Sequence, residues 1–78
     1  MAVGAYVLVE AAQGKAGEIV RRLRRTKGVK EARAVTGPYD VVAYVEAADI
    51  TRLGTLVTGS IQKVGGVTRT LTCVTVDL

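Results

Sequence analysis

The sequence predicts a small α+β domain in the order β-α-β-β-α-β, with a four-stranded antiparallel sheet and two helices on one of its faces. Three observations carry this: two short β-branched apolar runs, two stretches of helical period, and an internal repeat. Val3 to Val9 is nearly continuous apolar sequence, too short for an ordinary helix, and reads as a central strand covered on both faces. After Gly14 and Gly17, Ala16, Ile19, Val20 and Leu23 fall at helical spacing with Arg21, Arg22, Arg24 and Arg25 between them, an amphipathic helix with a basic outer face. Gly28 suits a left-handed cap. Val29 to Thr36 alternates weakly, as an edge strand does, and Gly37-Pro38 makes a tight turn.

Val41 to Val45 reads as the second buried strand. Asp49 stands where a helix N-cap is wanted, and Ile50, Leu53, Val57, Ile61 and Val64 define the inner face of a second helix. Gly54 and Gly59 weaken that helix by roughly 1 kcal/mol each relative to Ala, which close packing would explain. Gly65 and Gly66 end it, and Thr68 to Val76 alternates Thr with Leu, Cys and Val as the last strand. The repeat binds these elements together. Val9-Glu10-Ala11-Ala12 recurs as Val45-Glu46-Ala47-Ala48, and Gly28-Val29 as Gly66-Val67, at offsets of 36 and 38 residues. Two such halves interleave into a split β-α-β, or ferredoxin-like, sheet with the apolar strands central.

Length and composition narrow what such a domain does. Seventy-eight residues, 49% of them apolar, form one domain over 1–78 with a thin core. Small domains compensate with disulfides, a metal or a partner chain. One cysteine, Cys73, and no His leave no internal disulfide and no ordinary zinc site, so oligomerisation is the expected source of stability and no cofactor is expected. The apolar start lacks a basic segment and a cleavage site, and Glu10 and Glu46 interrupt the best apolar runs. Neither a secretory signal nor a membrane contact is expected, and the chain reads as cytosolic.

Period-two alternation sets Tyr6 and Leu8 on the face of Glu10, and Val42 and Tyr44 on that of Glu46. A buried unpaired carboxylate is costly, so this is the face the helices leave open. Its apolar middle is larger than a small monomer comfortably exposes, and a homodimer stacking two such faces, a dimeric α/β barrel, accounts for it. A single-stranded RNA platform with the same strand order is the rival reading. YDVVAYVE lacks the matching aromatic motif, Phe and Trp are absent, and Glu10 and Glu46 set negative charge beside the surface. The basic balance lies elsewhere: residues 15–33 hold eight cations against two carboxylates, the remainder three against five. A basic outer helix face is most often simply solvated.

Thr36-Gly37-Pro38-Tyr39-Asp40 is the densest local signal. By composition it is a well-made hairpin turn in which Asp40 accepts backbone N–H groups. Together, VTGPYDVVAYVEAAD and GGVTRTLTCVTV resemble the effector-binding (RAM) domain of the Lrp/AsnC regulators, the leucine-responsive and asparagine-responsive transcription factors, from Ala5 to Val76. The resemblance implies dimers through the sheets, rings of dimers such as octamers, and free amino acid effectors bound between subunits. Carried over, Gly37, Pro38, Tyr39 and Asp40 would form part of the pocket, with turn amides holding the effector carboxylate and Asp40 meeting its ammonium or orienting the loop. Thr70 and Thr72 would add hydroxyls, although Thr is also simply favoured in an edge strand. Ser60 and Gln62 are weaker candidates.

Full-length regulators of this family carry an N-terminal helix-turn-helix domain, and this chain begins almost at its first strand, so a stand-alone effector domain without direct sequence-specific DNA binding is expected. It would act as an amino acid sensor, as a structural assembly partner of full-length relatives without its own ligand or, as a third reading, as a small nucleic-acid-binding module. Enzymatic activity is not expected: no nucleophile and base stand at diagnostic spacing, and Cys73 in an apolar strand reads as a buried, inert thiol.

Overall fold

A computed structural model describes residues 2–78. Its elements are β1 (Val3–Ala11), α1 (Ala16–Arg24), β2 (Val29–Ala34), β3 (Val41–Ala47), α2 (Ile50–Leu56, continued by a π-helical turn over Val57–Ile61) and β4 (Val67–Val74). The strands pair antiparallel in the spatial order β2-β3-β1-β4, the ferredoxin-like arrangement expected from the repeat.

Register decides which face each side chain occupies. Ala5, Val7 and Val9 stand opposite Val45, Ala43 and Val41, and all six are fully buried beneath the helices. Ile19, Val20 and Leu23 of α1, with Leu53, Val57 and Ile61 from the second helical segment, close that side. The Ala residues among them, with Ala32 of β2, let the helices lie close to the sheet. Among the described residues nothing covers the other face, so within one chain β1 and β3 are buried on one side.

The two halves of the repeat end their helices alike. Gly28 and Gly66 have φ of +95° and +96°. The Gly28 carbonyl accepts from the N–H of Glu46 at 2.9 Å, and that of Gly66 from the N–H of Ala12 at 2.7 Å. Each tie therefore joins a helix exit to the end of a central strand. A Cβ at Gly28 would lie 2.9 Å from Leu56 Cδ2, and one at Gly66 2.8 Å from Lys15 Cβ, so both backbone angle and space require glycine.

The second helix departs most from expectation. Asp49 caps it as anticipated, Oδ1 accepting the Arg52 N–H at 2.8 Å. From Val57 it widens, the Gln62 N–H donating to the Val57 carbonyl at 2.8 Å. Leu53, Val57 and Ile61 are each four residues apart, a spacing that drifts by about 40° per step in a regular α-helix. The wider turn takes up that drift and keeps all three on the sheet. Ile50, expected on the inner face, is instead 59% exposed, lining an open hollow beside Thr72 and Val74 of β4. Gly54 and Gly59 are not packing requirements either: a Cβ at Gly54 would meet nothing within 4 Å, and one at Gly59 only Thr55 Cγ2 at 3.9 Å.

The sheet edges differ. β2 alternates Lys30, Glu31 and Arg33 and is kinked by a register shift between Val29 and Glu31. β4 carries mainly Thr and apolar residues and keeps regular pairing over most of its length.

These glycines give opposite predictions. Gly28→Ala should cost about 1–3 kcal/mol, from positive φ and the Leu56 contact. Gly54→Ala should stabilise by up to about 1 kcal/mol through helix propensity. Urea unfolding of the two variants checks both; a shift of the same sign in each contradicts this account.

Candidate functional site

The open face is a grid of two rows across the sheet. One runs Glu31, Tyr44, Tyr6, Cys73; the next runs Arg33, Val42, Leu8, Leu71. The four residues expected there from alternation, Tyr6, Leu8, Val42 and Tyr44, form its middle. Leu71 and Cys73 escape the sequence reading, and Cys73 is exposed, not a buried thiol, because β4 pairs in a register that sets it opposite Tyr6. The alternation in Thr70-Leu71-Thr72-Cys73 separates these two from the threonines, but only the pairing says which set faces the helices.

Tyr6 and Tyr44 meet as a cross-strand pair, ring centroids 5.0 Å apart and planes tilted by 51°. Tyr44 lies over Gly4, its hydroxyl filling the space that a Cβ there would need. Withdrawal of the Tyr44 ring from water pushes its phenol above the usual value, helped by the charge and hydrogen bonding of Glu46 and then by Tyr6.

The turn between β2 and β3 is tied to β1 through Asp40. Its N–H donates to the Val9 carbonyl and its carbonyl accepts from the Val35 N–H, each at 2.9 Å. Asp40 Oδ2 accepts the Ala11 N–H at 2.7 Å, where the register of β1 against β4 shifts. The carboxylate therefore orients the loop. Oδ1 has no protein donor among the described residues, and the N–H groups of Gly37 and Tyr39 have no protein acceptor there. Gly37 has φ +148°, and Gly37 and Pro38 are exposed while Tyr39 is half-buried.

Thr70 and Thr72 pair with Val9 and Val7 and so face the helix side of β4, both half-buried. Gln62 Nε2 donates to Thr70 Oγ1 at 2.8 Å, and both line a hollow of about 410 Å³ with Thr68 and Arg69. Thr72 lines a separate hollow of about 270 Å³ with Ile50, Gly54, Thr58 and Val74. Neither hollow includes a residue of the turn, and Ser60 lines neither. Turn and threonines lie on opposite flanks of β1, and one chain does not gather them into a single pocket.

This geometry has two measurable consequences. A raised Tyr44 phenol contributes stability that is present below the unfolded value of 10.0 and lost as pH rises through the folded one. With Tyr6 and Tyr39 replaced by Phe, tyrosinate absorbance should show a midpoint above 10.0, lowered by Glu46→Gln; an unmoved midpoint removes Glu46 from the cause. Asp40→Ala should cost about 1–3 kcal/mol in urea unfolding by stranding the Ala11 N–H.

Comparison with known proteins agrees with this architecture. The family model described as the Lrp/AsnC ligand binding domain matches residues 4–77. Among solved structures, FFRP-DM1 is 32% identical, with 95% of this chain and 99% of that chain covered and a TM-score of 0.90. TTHA0845 from Thermus thermophilus is also 32% identical, covering 97% of this chain and 95% of that one, with a TM-score of 0.91. A more distant structure, the transcriptional regulator NMB0573 of Neisseria meningitidis in complex with L-Met, shares the fold at 18% identity and TM-score 0.86, with 96% of this chain and 50% of that chain covered. Comparison with curated protein sequences finds no match. The chain belongs to the Lrp/AsnC family, through the ligand-binding domain.

Proposed function

We propose that this domain binds a free amino acid at a contact between copies of itself and works as a regulatory effector domain, not as an enzyme. The observation that carries this is the division of the binding chemistry within one chain. The free N–H groups of Gly37 and Tyr39 suit a carboxylate, and Asp40 Oδ1 suits an ammonium. Thr70, Thr72 and Gln62 offer hydroxyl and amide groups on a separate surface. A partner copy would complete either half. That the family's domain is a ligand-binding one, and that a fold relative was solved with L-Met, supports the amino acid as the class of effector.

Assembly in this reading starts at the open face. Tyr6 and Leu71 are 50% and 46% exposed, with Leu8, Val42 and Tyr44 between them, a contiguous apolar surface that stacking two copies would remove from water. Rings of such dimers, and mixed rings with full-length regulators of the family, extend the same reading. The role of Asp40 in holding the loop supports a second one, a structural assembly partner with no ligand of its own.

A thermal-shift screen against the common amino acids separates the two. A binder at 100 times its Kd stabilises the native state by about 2.7 kcal/mol. At least one amino acid should raise the Tm of the parent chain and leave that of Asp40→Asn unmoved. No response to any amino acid removes the effector role and leaves the assembly role. In sizing experiments the parent should run as a dimer or larger and Tyr6→Asp should shift toward monomer; a monomeric parent contradicts the stacked sheets.

A further inference from the structure

The far end of the sheet holds a second concave surface. β3 separates it from the turn: Asp40 precedes the strand, Ala47 ends it and Ala48 follows, about 20 Å away at strand rise. A hollow of about 410 Å³ opens there between the exit of α1, the start of β2 and α2. Lys27, Lys30 and Arg52 rim it, one from each of those segments, over a floor of Ala47, Ala48 and Leu56. The hollow is shallow and open to solvent over much of its extent, so a ligand would lie on it with one side in water.

The charges at this hollow are poorly balanced. Lys27 and Lys30 have no carboxylate within ion-pair distance among the described residues. Arg52 meets Asp49 through one exposed Nη1–Oδ2 contact of 3.4 Å, which leaves most of its donors free. Glu46 also lines the hollow, but alternation along β3 sets its side chain with Tyr44 on the open face of the sheet, the face away from Ala47. Arginines in a row along α1 are what the outside of any amphipathic helix presents. Three cations brought by separate segments to one hollow have no such ordinary reason.

We infer that this hollow binds a small organic phosphate, its phosphoryl group among Lys27, Lys30 and Arg52 and its carbon body on Ala47, Ala48 and Leu56. A phosphate monoester concentrates about 1.5 to 2 negative charges and three acceptor oxygens in one head, which suits a hollow lined by three cationic residues. Lys supplies compact point charges and Arg a planar fork, both established phosphate partners. The small side chains of Ala47 and Ala48 keep the floor open. This site shares no residue with the turn or with Thr70 and Thr72, so it stands apart from the amino acid reading.

The test is an NMR titration of the full chain with phenyl phosphate, and in parallel with inorganic phosphate and glutarate, at constant ionic strength. Amide signals of Gly28, Ala47 and Ala48 should move saturably with phenyl phosphate, and less tightly with the other two. The exposed pair Lys30→Ala with Arg52→Ala should weaken binding at least tenfold. Arg21→Ala with Arg22→Ala, which removes equal charge from the outside of α1, should leave it within twofold. No saturation, or equal weakening by both pairs, overturns the site and reduces the effect to an ion atmosphere. Phenyl phosphate binding no better than inorganic phosphate overturns the role of the apolar floor, and glutarate binding as tightly overturns the choice of phosphate.

Discussion

The pairing of β1 with β3 is the constraint on which the rest of this molecule depends. Side chains alternate across a sheet, so the register that buries Ala5, Val7 and Val9 against Val45, Ala43 and Val41 also sends Tyr6, Leu8, Val42 and Tyr44 outward. A slip of one residue would exchange the two sets, drawing tyrosines under the helices and turning the small Ala and Val side chains outward. One pairing thus sets both the core and the exposed apolar face. The same strands deliver Asp40 to the bulge at Ala11 at one end and Ala47-Ala48 to the hollow at the other.

Much of this was legible in the sequence because it depends on local period and on the repeat. Val9-Glu10-Ala11-Ala12 and Val45-Glu46-Ala47-Ala48 mark equivalent strand ends, and one energetic rule about carboxylates then orients both faces. The helix exits at Gly28 and Gly66 were legible for a similar reason, since few residues other than glycine turn left-handed there. What stayed hidden depends on partners distant in the chain. Nothing in Thr70-Leu71-Thr72-Cys73 reveals which pair faces the helices until β4 is set against β1. The widened turn at Val57 shows only as an awkward spacing of apolar residues, and Arg52 stands too far along the chain from Lys27 and Lys30 for the three to read as one group.

The turn shows how a motif can have a structural and a functional reading at once. The glycine, proline and aspartate read as a hairpin, and Asp40 does the work of one, with its N–H, carbonyl and Oδ2 all holding the loop against β1. The same ties leave the N–H groups of Gly37 and Tyr39 without protein acceptors among the described residues, next to the anchored Asp40. A recognition group positioned by bonds it does not share with its ligand loses little freedom on binding. The basic outer face of α1, conspicuous by composition, lies on the helix side of the sheet, away from the aromatic face.

The unlike edges of the sheet set a direction. β2 alternates Lys30, Glu31 and Arg33 along a kinked edge, features that discourage another strand from pairing with it. β4 has one register shift of its own, where it passes Glu10 and Ala11, but Arg69 is its one charged residue and its outer hydrogen-bonding groups are unpaired in the sheet. A molecule with one receptive edge and one refractory edge is poorly suited to polymerise by strand addition. The joining of two receptive edges leaves only refractory ones, so the ladder ends at a pair and the fibre that an unguarded four-stranded sheet would seed has no route to grow.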